Sequence, residues 1–212
     1  IEVDIKTDKQ KTLFDNIERV AIIGYSVTDN GAGFTADNRT SFLKYLSSYK
    51  QKLGCKGIGR FTWLKIFENI SIESFTGEEK VSFTFNSNFS ENDITAESNT
   101  TSKKTIVSFL DINSNYYKKF NNAKLIESDE SLIVDLEKIK ETISDYLSVK
   151  LFLLDNLNVQ FSIKINLGNK SVIINNSNIT KFDEKTFSLY ASLDEGKTSV
   201  KYDFSLYYTF ES

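Results

Sequence analysis

The sequence predicts an α+β fold: a two-layer α/β sandwich with helices on one face of a mixed sheet, followed by the start of a second, β-rich domain. Three observations predict it. Runs of period-two alternation recur along the 212 residues, long apolar-periodic stretches sit between some of them, and five of the nine glycines fall between Gly31 and Gly59. Alternation marks half-buried strands, and spacing of three and four marks amphipathic helices.

The elements follow in order. Ile1, Val3 and Ile5 alternate, and Ala21-Ile22-Ile23-Gly24-Tyr25-Ser26-Val27 reads as a strand. Ala36 to Gln51 carries Phe42, Tyr45, Leu46 and Tyr49 at helical spacing, and Thr62-Trp63-Leu64-Lys65-Ile66-Phe67 is also helix-like. The period then returns to two in Ile70 to Phe75 and Val81 to Phe85, with Thr76 to Glu79 as the turn. Asn86 to Ser102 is polar and reads as a loop. Lys103 to Leu110 is a further strand.

A long helix is expected from about Leu132 to Leu153, with Leu132, Leu136, Ile139, Ile143, Tyr146 and Leu147 on one face. Val159 to Ile165 alternates, Leu167 to Lys170 turns, and Ser171 to Ile174 follows. Phe187 to Leu193 and Val200 to Phe210 alternate across Asp194-Glu195-Gly196-Lys197, a hairpin signal. The first domain is expected over residues 1–178 and the second over 179–212.

Composition narrows the function. Net charge is −3 with no histidine, one cysteine and no methionine. An acidic chain has no global attraction to nucleic acid or to an anionic membrane. Tyr116-Tyr117-Lys118-Lys119 mixes rings and cations but reads as a loop, so no nucleic-acid contact is expected through this segment. No apolar run reaches the roughly 20 residues of a bilayer span. The lone Cys55 suits a reducing cytoplasmic setting. Without histidine, no catalytic, ligating or phosphoaccepting histidine exists in this sequence.

Two glycine clusters carry the chemistry. Thr28-Asp29-Asn30-Gly31-Ala32-Gly33-Phe34 follows the strand at Ala21 to Val27. There Asp29 is an acceptor suited to an amino group, and Gly31 and Gly33 let a ligand approach the backbone. Gly54-Cys55-Lys56-Gly57-Ile58-Gly59-Arg60-Phe61 opens a helix. Its free N–H groups, the helix dipole, Lys56 and Arg60 suit phosphate oxygens. Neither cluster is a Walker loop or a dinucleotide fingerprint. Alone, the first is an ordinary Asn-Gly turn, and Cys55 is a small residue in a tight turn.

In this order the clusters resemble the GHKL ATPases: gyrase B, the heat-shock chaperone of ninety kilodaltons, MutL and the histidine kinases. Asp29, Gly31 and Gly33 match that family's Asp-x-Gly-x-Gly box, and Gly54, Gly57 and Gly59 its Gly-x-x-Gly-x-Gly lid box. Thr105, in Lys103 to Leu110, resembles the late-strand threonine of the adenine network. Ser48-Tyr49-Lys50, Leu53 to Phe61 and Trp63-Leu64-Lys65 resemble a poorly characterised bacterial GHKL group. The resemblance spans roughly Ile1 to Asn175. It implies a Bergerat-type ATP-binding domain with a transducer-like start behind it. ATP and Mg²⁺ are the implied cofactors, with a nucleotide-dependent homodimer and a protein client as partners.

The full protein would then be a Mg²⁺-dependent ATPase working as a conformational or dimerisation switch. Alternatives are a histidine kinase catalytic domain and a non-hydrolysing nucleotide-binding module. The family's glutamate and asparagine helix is expected before Ile1 and is absent from this sequence. Glu18 is a poor substitute, so no residue here is assigned as the catalytic base and no metal ligand is named.

Overall fold

The computed structural model describes residues 1–11, 18–49, 58–98, 102–113, 135–179, 183–193 and 198–208. Ten strands lie among them: β1 (Glu2–Lys11), β2 (Glu18–Asp29), β3 (Phe67–Phe75), β4 (Glu79–Phe85), β5 (Thr95–Ser98), β6 (Lys104–Ile112), β7 (Ser162–Leu167), β8 (Lys170–Asn175), β9 (Asp183–Leu193) and β10 (Thr198–Tyr208). Three α-helices accompany them: α1 (Ala36–Leu43), α2 (Gly59–Trp63) and α3 (Leu136–Asn156). Among the described residues, no helix is long and apolar enough to cross a membrane.

The first eight strands form one mixed sheet in the order β5-β4-β3-β6-β2-β1-β7-β8, and β9 pairs with β10 separately. The pairing of β1 with β7 is parallel; those of β1–β2, β2–β6, β6–β3, β3–β4 and β4–β5 are antiparallel. This overturns the expected α/β sandwich. The described structure is mostly β, and α1 and α2 have only eight and five residues.

The reason lies in the chain after Leu43. Helical spacing continues to Tyr49, but Lys44 turns extended and Leu46 takes φ 53°. Phe42 reaches the core, whereas Tyr45, Leu46 and Tyr49 stay exposed. Spacing alone did not bury that face, and an unburied amphipathic stretch has little to hold it helical. The polar run after Phe85 also departs from expectation, holding a 3-10 turn (Glu91–Asp93) and the edge strand β5. In α3, Leu136 and Leu151 are buried, but Tyr146, placed on the same face by its spacing, is 89% exposed.

Directly paired residues share a face of a sheet. The registers therefore stack three transverse rows across β2, β6, β3 and β4. The first is Asp29, Thr105, Ser74 and Val81; the second Val27, Val107, Ile72 and Phe83; the third Tyr25, Phe109, Ile70 and Phe85. Ile70, Ile72, Ser74 and Val81 are fully buried. Burying an isoleucine stabilises by about 1.5–3 kcal/mol, so this patch anchors the sheet. Phe34, Phe42, Trp63, Leu64, Ile66 and Phe89 cover it. Phe42 sits edge-on to Phe34, Phe83 and Phe85 at about 5.3–5.4 Å, the geometry aromatic quadrupoles prefer. On the reverse face Ser108 Oγ donates to Ser26 Oγ at 3.3 Å.

By contact density the chain divides into two compact units: Ile1–Lys140 with Ser162–Ile173, and Glu141–Phe161 with Ile174–Ser212. The site discussed below lies in the first. In the second, Asn176 accepts from Phe161 N at 3.0 Å and donates to Asp155 Oδ1 at 2.9 Å. Phe187 and Phe204 stack across the β9–β10 pair at 5.4 Å. The hairpin turn expected at Asp194 to Lys197 lies outside the described residues, as does Tyr116 to Lys119.

Candidate functional site

The site begins with a register. β2 ends at Asp29, and its partner across the ladder is Thr105, the second residue of β6. Thr105 in turn pairs with Ser74 on β3. All three side chains therefore stand on the face that carries the core, where the apolar alternation of β3 gives way to a serine.

The chain leaving β2 folds back over this row. Gly31 N donates to Asp29 Oδ1 at 2.7 Å, an Asx turn that starts the reversal. Gly33 then takes φ +72°, a left-handed conformation that favours glycine. A Cβ there would collide with Ser74 Oγ and press within 3.4 Å of Thr105 Oγ1. The backbone at Gly33 is thus seated directly on the two hydroxyls. Phe34 N donates to Ser74 Oγ at 2.8 Å, and Ser74 Oγ lies 3.2 Å from Thr105 Oγ1.

Helix α1 locks the loop. Thr35 caps it by accepting from Asn38 N at 3.4 Å, and Asn38 Nδ2 donates back to Gly33 O at 2.6 Å. Arg39 clasps Glu79 at the start of β4 with two contacts, Nη1 to Oε2 at 3.2 Å and Nη2 to Oε1 at 3.1 Å. Thr76 Oγ1 accepts from Glu79 N at 3.2 Å, and Gly77 at φ +96° closes the β3–β4 turn beside it.

Chemically, the row offers a carboxylate acceptor beside two hydroxyls, with a glycine backbone at contact distance. A carboxylate has about four lone-pair sites, so the bond to Gly31 does not exhaust Asp29. Ser74 Oγ already accepts from Phe34. Either of the Ser74 and Thr105 hydroxyls can donate to the other, and Thr105 is only 5% exposed. An acceptor flanked by a donor complements a ligand edge that carries an amino group beside a ring nitrogen. A carbonyl in place of the amino group would meet the carboxylate as a like dipole.

Of the residues singled out from sequence, Asp29, Gly31, Gly33 and Thr105 come together. Ile58, Gly59, Arg60 and Phe61 do not join them. Gly59 opens α2, with Thr62 Oγ1 donating to its carbonyl at 2.6 Å. Ile58 and Phe61 are about two-fifths exposed. Arg60 turns to the third row's end, its guanidinium over the rings of Phe61 and Phe42 and its Nη2 donating to Lys44 O at 3.2 Å. Rows one and three are separated by four residues along a strand, roughly 13 Å. Gly54, Cys55, Lys56 and Gly57 lie outside the described residues, and nothing is placed there.

Sequence reading missed Ser74, Asn38 and the Arg39–Glu79 pair. The signal for Ser74 was present: after Ile70 and Ile72 it is the next inward position of the strand. Among the described residues, no three His, Cys, Asp or Glu side chains gather where they could hold a metal ion.

No family model matches the sequence, and no match was found among curated proteins. A solved structure described as the crystal structure of the N-terminal domain of a DNA repair protein superposes with a TM-score of 0.42 at 12% identity. It covers 89% of this chain and 56% of that one, so this chain spans little more than half of its length.

Proposed function

We propose that this chain is a nucleotide-binding domain that recognises adenine at the Asp29 row, with ATP as its ligand. The observation that carries the proposal is the convergence of Asp29, Gly33, Ser74 and Thr105 on one transverse row. The Asp29 carboxylate takes the exocyclic amine, and the buried Thr105 hydroxyl serves the adenine edge through a bridging water. The motif pair resembling the GHKL ATPases supports the same reading. The sheet does not carry it, because its helices are too few and short for that family's sandwich.

The role that fits is a nucleotide-driven switch. A ligand shifts a conformational equilibrium only by its differential affinity for the two states. The loop Gly54 to Gly59 is assigned the phosphates, with Lys56 beside the outer ones. Hydrolysis, homodimerisation and a protein client belong to the full-length protein in this proposal, and the lone Cys55 fits a cytoplasmic setting.

Calorimetric titration of ATP, adenosine and GTP into the protein tests the reading. Adenosine and ATP are expected to bind and GTP to bind more weakly. Equal affinity for ATP and GTP, or no heat with either, would defeat it.

A further inference from the structure

A cavity of about 460 Å³ opens at the third-row end of the same face, between α1, α2 and the chain after β4. We propose that it binds a small phenolic ligand, an uncharged aromatic frame whose hydroxyl donates to Glu91, at a site independent of the Asp29 row. The volume lies within the range of small-molecule pockets, about 300–1,000 Å³. The rings of Phe42, Phe61, Phe85 and Phe89 line it, and Glu91 is the one acid among its described lining residues.

The walls select a flat ring. Phe42 meets Phe85 at 5.3 Å and Phe89 at 6.0 Å, both edge-on, and Phe61 meets Phe85 at 6.3 Å. Rings held at steep angles leave slots that take a further flat ring edge-to-face or offset. Phe85 is 4% exposed and Phe61 39%, so the slot has a fixed floor and an accessible rim.

The cation on the lining is already engaged. The Arg60 guanidinium lies over the rings of Phe61 and Phe42, 4.4 and 5.1 Å from their centroids, and its Nη2 donates to Lys44 O at 3.2 Å. Arg60 therefore acts as wall rather than as a group that meets the ligand. A ligand cation would also find those two ring faces taken.

Glu91 sets the polar end of the ligand. It opens the 3-10 turn after β4 and is exposed, and among the described residues its carboxylate has no hydrogen-bond or ion-pair partner. Asn86 and Ser90 are turned to the chain instead. Asn86 donates to Asn69 Oδ1 at 3.5 Å and accepts from Asn88 N at 2.9 Å, and Ser90 closes a capping box with Asp93. An ionised carboxylate only accepts, so it favours a ligand donor and repels an anion. An O–H donor to a carboxylate makes a short, charge-assisted bond. The uncharged ring then enters the apolar slots with no charge to desolvate.

The test is calorimetric titration of the protein with 2-naphthol and its methyl ether, 2-methoxynaphthalene, which keeps the rings and loses the donor. Naphthol is expected to bind about threefold to tenfold tighter, the net worth of a hydrogen bond. Glu91→Ala is expected to erase that preference by weakening naphthol alone. Ser87 is exposed on the cavity lining, and Ser87→Trp is expected to weaken both ligands by about tenfold or more by filling the space. Both positions are exposed, so each variant should keep its melting temperature. Equal affinity for the two ligands, or no binding of either, would overturn the proposal. A preference that survives Glu91→Ala would overturn it too, as would unaltered binding in Ser87→Trp.

Discussion

Asp29 and Thr105, 76 residues apart in the sequence, face each other across the β2–β6 ladder as direct partners. The pairing puts an acid and a hydroxyl side by side without either depending on a loop for its position. The proposed specificity for adenine therefore rests on sheet register.

Asp29→Asn is expected to weaken ATP binding by about 1–3 kcal/mol, the cost of leaving a polar partner unsatisfied. The amide replaces a pure acceptor with a group of mixed polarity while keeping the shape. Thr105→Val should cost less, since only one hydroxyl is lost. Calorimetry on both variants checks the order, and an unaffected Asp29→Asn would remove Asp29 from the site.

Gly33→Ala and Gly59→Ala should behave oppositely in thermal melts. At Gly33 the backbone is left-handed and a Cβ would strike Ser74 Oγ. Left-handed backbone alone costs an ordinary residue about 1–2 kcal/mol, and the collision adds to it. At Gly59 nothing lies within 4 Å of an added Cβ. Alanine in that helix should leave stability unchanged or raise it by up to about 1 kcal/mol. A loss of ATP affinity in Gly59→Ala at full stability would place the phosphates there; equal melting of the two variants would contradict the Gly33 geometry.

The Arg39–Glu79 clasp should register in a double-mutant cycle. Both side chains are about three-quarters or two-thirds covered, and the contact is two-pronged. Exposed ion pairs typically couple by about 0.2–1 kcal/mol, and this geometry belongs near the upper end. Coupling measured by urea unfolding should fall as salt is added. Coupling indistinguishable from zero at low salt would show that the clasp does not help to hold α1.

Acid should loosen the β1–β7 junction. Asn166 Nδ2 at 2.8 Å and Lys164 Nζ at 3.1 Å both donate to Glu2 Oε1. The Asn166 bond first, and Lys164 second, hold the Glu2 carboxyl below its ordinary value of 4.5. A depressed folded-state pKa means the carboxylate form is favoured by folding. Its contribution is present above the unfolded value and is lost as pH falls from about 4.5 through the lower folded value. The effect is small, because Glu2 is exposed to screening water. A carboxyl NMR titration should find Glu2 below an ordinary glutamate, and Asn166→Ala should return it upward; an unshifted Glu2 would contradict the junction.

The strands were readable where apolar residues alternate, as in Ile70-Ile72 and Val81-Phe83-Phe85, because burial of one face writes period two into the chain. β5 was not, since Thr95 to Ser98 is exposed throughout and leaves no such pattern. The helix expected over Ala36 to Gln51 ended at Leu43 because only Phe42 found a surface to bury. Within the site, Asp29, Gly31 and Gly33 announce themselves as a local turn. Ser74 and the Arg39–Glu79 pair become meaningful only through contacts some forty residues apart, which no local spacing encodes.

Because the first row is framed by four adjoining strands, it cannot come apart unless those strands do. Backbone amides in such a ladder exchange with solvent through cooperative opening. The Thr105 and Ser74 amides are therefore expected to exchange as slowly as that of Ile72 in the core, and far more slowly than those of the exposed edge β5. Rapid exchange at Thr105 beside slow exchange at Ile72 would deny this. Ligand meeting this row would find its partners already immobile and would not have to order them, a cost that association otherwise carries.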